Sequence, residues 1–252
     1  MLRDIMNAQN QTNDLSHHST SVTTHSHNTT LTPAVNIAVS QMTPDHIGRL
    51  AELQPVSFPT LHAAEYLRAE HFLNHIRLFP HGQFVALADG AVIGSTSTMR
   101  IDFDFDNPQH SFLDIIDHGW LSGHNSRGEW LYGADMNVHP DFRRHGVGRR
   151  LYAARTAMVE KLNLRGQIAG GMLPGYVKHA AHMSVRDYCH KVVAGELTDP
   201  TLTAQLKNGF RFVAVLYDYF VNANGAYKAA ALIVKDNPHY RDHNRKPTRF
   251  AA

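Results

Sequence analysis

The chain has 252 residues, 43% of them hydrophobic, which is enough for a sizeable core without disulfides or a structural metal. Its 24 basic and 22 acidic side chains leave a formal net charge of +2, so no overall field points to nucleic acid or a membrane surface, and any anion site must be built locally. The single cysteine, Cys189, excludes an intramolecular disulfide. No run of about 18 apolar residues marks a membrane span, and no apolar leader opens the chain, so a cytoplasmic protein is expected.

Residues 1–32 are Asn, Ser, Thr, His and Gln with few large apolar side chains, and read as a disordered polar tail. Its histidines (His17, His18, His25, His27) lack carboxylate or cysteine partners at a metal-site spacing. A short apolar run at 35–39 predicts a strand, and Thr43-Pro44-Asp45 then opens a helix. A second helix is expected over 60–78, where Leu61, Ala64, Leu67, Leu73 and Ile76 recur on one face. Strands at 83–88 and 91–101 flank Asp89-Gly90, a pair suited to a two-residue hairpin turn. The polar, Gly- and Asp-bearing stretch 102–128 reads as a long surface excursion with one short helix.

Residues 130–138 are strand-like and end before Pro140. Val147, Leu151, Ala154, Met158 and Leu162 then form a helix stripe, with Arg149, Arg155, Glu160 and Lys161 assigned to the opposite, solvent face. A strand at 167–172 follows. Ser184 with Asp187 caps a helix to about 194, and 200–208 makes another. Strands at 210–220 and 226–234 close the domain, and a loose basic tail occupies 238–252. These elements place one α/β domain at 33–237.

The chemistry concentrates at the turn after the 130–138 strand. A helix start offers backbone N–H groups without intrahelical acceptors and a partly positive dipole end, which suits an anion. Gly146 and Gly148 let a phosphate approach the backbone, and Arg143, Arg144 and Arg149 add charge beside it. A P-loop would need Lys-Ser or Lys-Thr after a glycine, and a dinucleotide fold three spaced glycines; neither is present. His71 with His75, and His179 with His182, could each share a helix face, but neither pair carries the Glu of a zinc-hydrolase motif. No metal is expected, and these histidines are read as solvated or hydrogen-bonded.

The run Arg143-Arg144-His145-Gly146-Val147-Gly148, with Val138-His139-Pro140 before it and Leu151 after, resembles the pyrophosphate loop of the GNAT superfamily of N-acetyltransferases. A late Asn208-Gly209-Phe210 is similar to that family's turn before its sixth strand, and the long stretch before the last helix resembles a subgroup with an insertion there. The resemblance implies an α/β, α+β-type fold with a mixed, mostly antiparallel sheet of about seven strands. It also implies acetyl-CoA as co-substrate, bound by Met136, Asn137, Val138 and residues Arg143 to Arg149, with transfer to the primary amine of a small molecule. A backbone N–H near Met136 to Val138 would meet the thioester oxygen. Asp135 is the expected base, since the amine must lose a proton. Many relatives supply the acid from a tyrosine where this chain has Gln205, so Tyr176 and Tyr188 are the candidates for that role. Cys189 is not expected to carry the acyl group. No nucleic-acid or membrane partner is expected, homodimerisation is left open, and a CoA-binding sensor of the same fold is the alternative.

Overall fold

A computed structural model describes residues 36–242. The expected polar tail and the end of the basic tail lie outside them. In chain order the strands are β1 (Ile37–Gln41), β2 (Phe84–Ala88), β3 (Ala91–Ile101), β4 (Trp130–Val138), β5 (Gly166–Met172), β6 (Arg211–Val221) and β7 (Tyr227–Asp236). The helices are α1 (Ile47–Ser57), α2 (Ala69–Leu78), the one-turn α3 (Phe112–Ile115), α4 (Val147–Lys161), α5 (Val185–Val193) and α6 (Leu202–Lys207). One seven-stranded sheet has the order β1-β2-β3-β4-β5-β7-β6. Every neighbouring pair is antiparallel except β4 with β5.

Alternation along the strands fills two cores, one on each face. On β7, Ala230, Leu232 and Val234 join Leu50, Phe72, Tyr132 and Ile168 beneath α1 and α2. Ala231 and Ile233 face the other way, against Tyr188, Val192 and Leu202 of α5 and α6. Val147 and Leu151 of α4 pack on β1, β2 and β3 through Ile37, Ala86 and Ile93. The hairpin turn between β2 and β3 forms as expected, with Asp89 at φ 48° and Gly90 at φ 85°.

Three expectations change. The helix expected over 60–78 is confined to Ala69–Leu78, with only a single 3-10 turn at Ala63–Glu65 before it. Tertiary hydrogen bonds hold the earlier part extended: His62 N–H donates to Val221 O at 2.9 Å, the Glu65 carboxylate accepts from Val221 N–H at 2.8 Å, and Leu67 N–H donates to Gln54 Oε1 at 3.2 Å. The 102–128 excursion is more than surface, because its Phe112, Ile116 and Leu121 are buried in the α1/α2 core. His75, fully buried, donates from Nε2 to Gly119 O at 2.6 Å and so fixes that segment to α2. Arg155, assigned to the solvent face of α4, is 1% exposed and points into the molecule.

Candidate functional site

Strands β4 and β5 pair over three residues only, Trp130 with Gly166, Leu131 with Gln167 and Tyr132 with Ile168. Past Tyr132 they part. β4 stays paired with β3 as far as Val138, and β5 with β7 as far as Met172, so a V-shaped fork opens between two otherwise intact halves of the sheet. The register shift between β3 and β4 leaves Ala134 as an extra residue between Gly133 and Asp135, a bulge at the head of the fork. Thr96 Oγ1 fixes it by donating to Asp135 O at 2.7 Å.

The mouth of the fork meets the N-terminus of α4. Gly146 is its N-cap at φ 79°, a left-handed conformation that only glycine adopts without strain, and Arg150 N–H makes a helical bond back to Gly146 O at 3.1 Å. The N–H groups of Val147, Gly148 and Arg149 precede that bond and face the loop. Gly148 has no packing reason to be glycine, since an added Cβ would meet nothing within 4 Å; that space stays open for a ligand. Arg144, His145 and Arg149 are exposed around it. Arg143 is committed elsewhere, donating from Nη2 to Ser57 O at 2.8 Å and from Nε to Val138 O at 3.3 Å, so it staples the loop to α1 and to the end of β4. The partly buried side chains of Met136 and Val138 pack in one cluster with Val147 of α4. Open N–H groups, an unfilled glycine face and local positive charge fit the pyrophosphate of a coenzyme A.

Asp135 sits at the bulge, 8% exposed. Its Oδ2 accepts from Asn137 Nδ2 at 2.8 Å and, more weakly, from Gln54 Nε2 at 3.4 Å. Burial pushes the carboxyl up to about 7 against these donors, so it changes charge near neutral pH. A second buried carboxyl has no mark in the local sequence pattern. Glu65, 3% exposed, accepts from Val221 N–H through Oε1 while Oε2 has no partner, and burial raises it to about 7 as well. Beneath the fork, Tyr219 and Tyr132 share a hydrogen bond of 2.8 Å, and Tyr132 reaches His110 Nε2 at 2.7 Å. His110 Nδ1 lies 2.7 Å from Pro108 O, to which it must donate, so Nε2 of the neutral ring accepts from Tyr132.

Tyr176 and Tyr188, the expected acids, both have their hydroxyls occupied. Tyr188 is fully buried and donates to Asp199 Oδ2 at 2.9 Å, and burial followed by that carboxylate drives its hydroxyl well above the usual phenol range. Asp199 also accepts from Gly175, Thr201 and Leu202 N–H, which makes the pair an anchor for α6. Tyr176 donates to Met183 O at 2.9 Å. Cys189 is sealed, its thiol pushed up to about 12 by burial. A different phenol stands near Gln205. Tyr152 of α4 is half-buried and packs on Phe210; burial raises its hydroxyl, while Arg155 and then Gln205 pull the other way.

Among the described residues, no group of three or more His, Cys, Asp or Glu is placed to hold a metal ion, and no helix is long and apolar enough to cross a membrane. His179 and His182 meet edge to face, with ring centroids 5.7 Å apart.

A model of the acetyltransferase (GNAT) family matches residues 47–167, from α1 to the start of β5. The chain is 32% identical over 184 residues to a Bacillus subtilis (strain 168) protein described as "Uncharacterized N-acetyltransferase YkwB", covering 73% of this chain and 81% of that one. It is 36% identical over 200 residues to the "Probable hydrolase YhcX" of the same organism, covering 79% of this chain but spanning only 38% of that protein's length. Among solved structures, the GphF GNAT-like decarboxylase in complex with isobutyryl-CoA superposes with a TM-score of 0.66 at 21% identity, over 79% of this chain and 99% of that one.

Proposed function

The chain belongs to the acetyltransferase (GNAT) family, and from that premise we propose that it moves an acyl group, in the simplest case acetyl, from acyl-coenzyme A to the primary amine of a small molecule. The observation that carries this reading is the fork between β4 and β5, with the open N-terminus of α4 at its mouth. The pyrophosphate would take the N–H groups of Val147, Gly148 and Arg149. The pantetheine would run into the fork as an additional strand would, on backbone groups that β4 and β5 no longer share. The thioester would then lie at the bulge, where a β4 N–H stabilises the oxyanion formed as the amine attacks.

Asp135 takes the proton of the attacking amine, its carboxyl tuned near neutrality by burial. The C–S bond breaks as the amide forms, and Tyr152 gives its proton to the departing thiolate, in place of the tyrosine that Gln205 replaces. Tyr176 and Tyr188 drop out because their hydroxyls are committed. Thiol release from acetyl-CoA over a panel of amines, amino acids, polyamines and peptides tests the reading. Turnover with any of them supports it. Acyl-CoA binding with no thiol released across the panel favours the CoA-binding sensor, which the Gln205 substitution would explain.

A further inference from the structure

Arg155 is the largest fully buried side chain of the described residues. Its Nε and Nη2 atoms are sealed from solvent without a hydrogen-bond partner, and no carboxylate among the described residues forms an ion pair with it. Burial lowers it only to about 10, so it remains a cation at neutral pH. The guanidinium packs against Gly133, where a Cβ would fall within 2.6 Å of Nη1, and stands over the Tyr152 ring at 5.5 Å from its centroid; Gly133 is the first residue of β4 past the last pair with β5. A permanent charge therefore sits at the inner end of the fork. Beside it, Lys235 Nζ and Gln167 Nε2 both donate to Thr156 Oγ1 while Gln167 Oε1 has no partner; burial lowers the Lys235 ammonium, with Glu160 opposing and Arg155 adding to the effect.

A buried charge without a counter-ion costs several kcal/mol, which a fold sustains when a bound anion answers it. The pyrophosphate is not that anion. Arg155 lies seven residues beyond Gly148 on α4, about 10 Å along the axis at the usual rise, so a group at Arg155 belongs to the opposite end of the cofactor. We propose that Arg155 is the receptor for a carboxylate on the acyl group, so that the preferred donor is a short acyl-CoA ending in a carboxylate, of the malonyl or succinyl class, rather than a neutral one. This rests on the acyl-CoA reading above and narrows its donor.

The test is calorimetry on the full chain with CoA, malonyl-CoA and succinyl-CoA, and with propionyl-CoA and butyryl-CoA as neutral donors of matched length. The wild type binds the carboxylated donors about tenfold to a hundredfold tighter than their neutral partners, the worth of charge-assisted hydrogen bonds. Arg155→Met levels the two classes. It should fold, because it removes an unpaired buried charge, and the wild-type comparison stands without it. Equal wild-type affinity for matched donors, with CoA still bound, overturns the carboxylate receptor and leaves the acyl-CoA reading intact. In the thiol-release assay, Arg155→Met slowing transfer from all donors by the same factor, with no change in their ranking, also overturns it, because Arg155 would then serve the departing thiolate. No binding of any CoA species overturns both.

Discussion

Replacing Asp135 with asparagine separates a base from a strand support. Raising the carboxyl from 3.8 to about 7 makes its ionised form about 4 kcal/mol less favourable in the fold than in the unfolded chain. The folded carboxyl holds its proton where the unfolded one has lost it. Its contribution to stability is therefore complete below pH 4 or so and is lost as pH rises through about 7. Asp135→Asn does not titrate, so its stability relative to wild type should climb by up to about 4 kcal/mol between those limits, and then level off. Glu65 contributes a parallel loss in both proteins and cancels in the difference. Urea unfolding at several pH values from 4 to 8 or so reads this directly. In the thiol-release assay the wild-type rate should rise with pH through neutrality. The variant should lose that limb and fall by about 10²- to 10⁴-fold with acyl-CoA affinity retained. A stability difference that does not change with pH refutes the assigned ionisation. A variant that keeps both its rate and its pH limb removes Asp135 from the chemistry.

Other substitutions probe the remaining parts. Gly146→Glu places a β-carbon at φ 79° with only Arg149 Nη2 near it, at 3.9 Å, so the fold should survive at a cost of about 1–2 kcal/mol while acyl-CoA binding is lost in calorimetry. Tyr152→Phe should lower kcat by about tenfold or more with little change in KM for acyl-CoA if that phenol protonates the thiolate; unchanged turnover assigns the proton to water. Gly133→Ala sets a methyl against the Arg155 guanidinium, and should cost about 1–3 kcal/mol in chemical unfolding because the buried side chain has little room to move.

The parts of the fold fixed by local pattern were legible. Trp130–Val138 and Ala91–Ile101 begin and end where alternation, Asp89-Gly90 and Pro140 put them. Ser184 caps α5 as read, its Oγ accepting from Asp187 N–H at 3.1 Å. The glycine spacing at 146 and 148 gave the helix start, because the left-handed turn is a local demand. What depends on contacts distant in sequence was not legible. Asp199 takes the hydroxyl of Tyr188, and Val221 draws Glu65 out of a helix and into the interior. Neither partner is visible from local spacing. Arg155 reads as part of the face opposite the apolar stripe. Its position four residues after Leu151 belongs to the buried stripe, and that spacing was the available signal.

Titration calorimetry of the intact protein with acetyl-CoA and with CoA asks whether the fork and the open N-terminus of α4 take coenzyme A at all. Binding in the micromolar range, abolished in Gly146→Glu, is the predicted result. No heat with either compound up to about millimolar concentration, from protein that is folded by its unfolding transition, would mean that the fork does not hold coenzyme A.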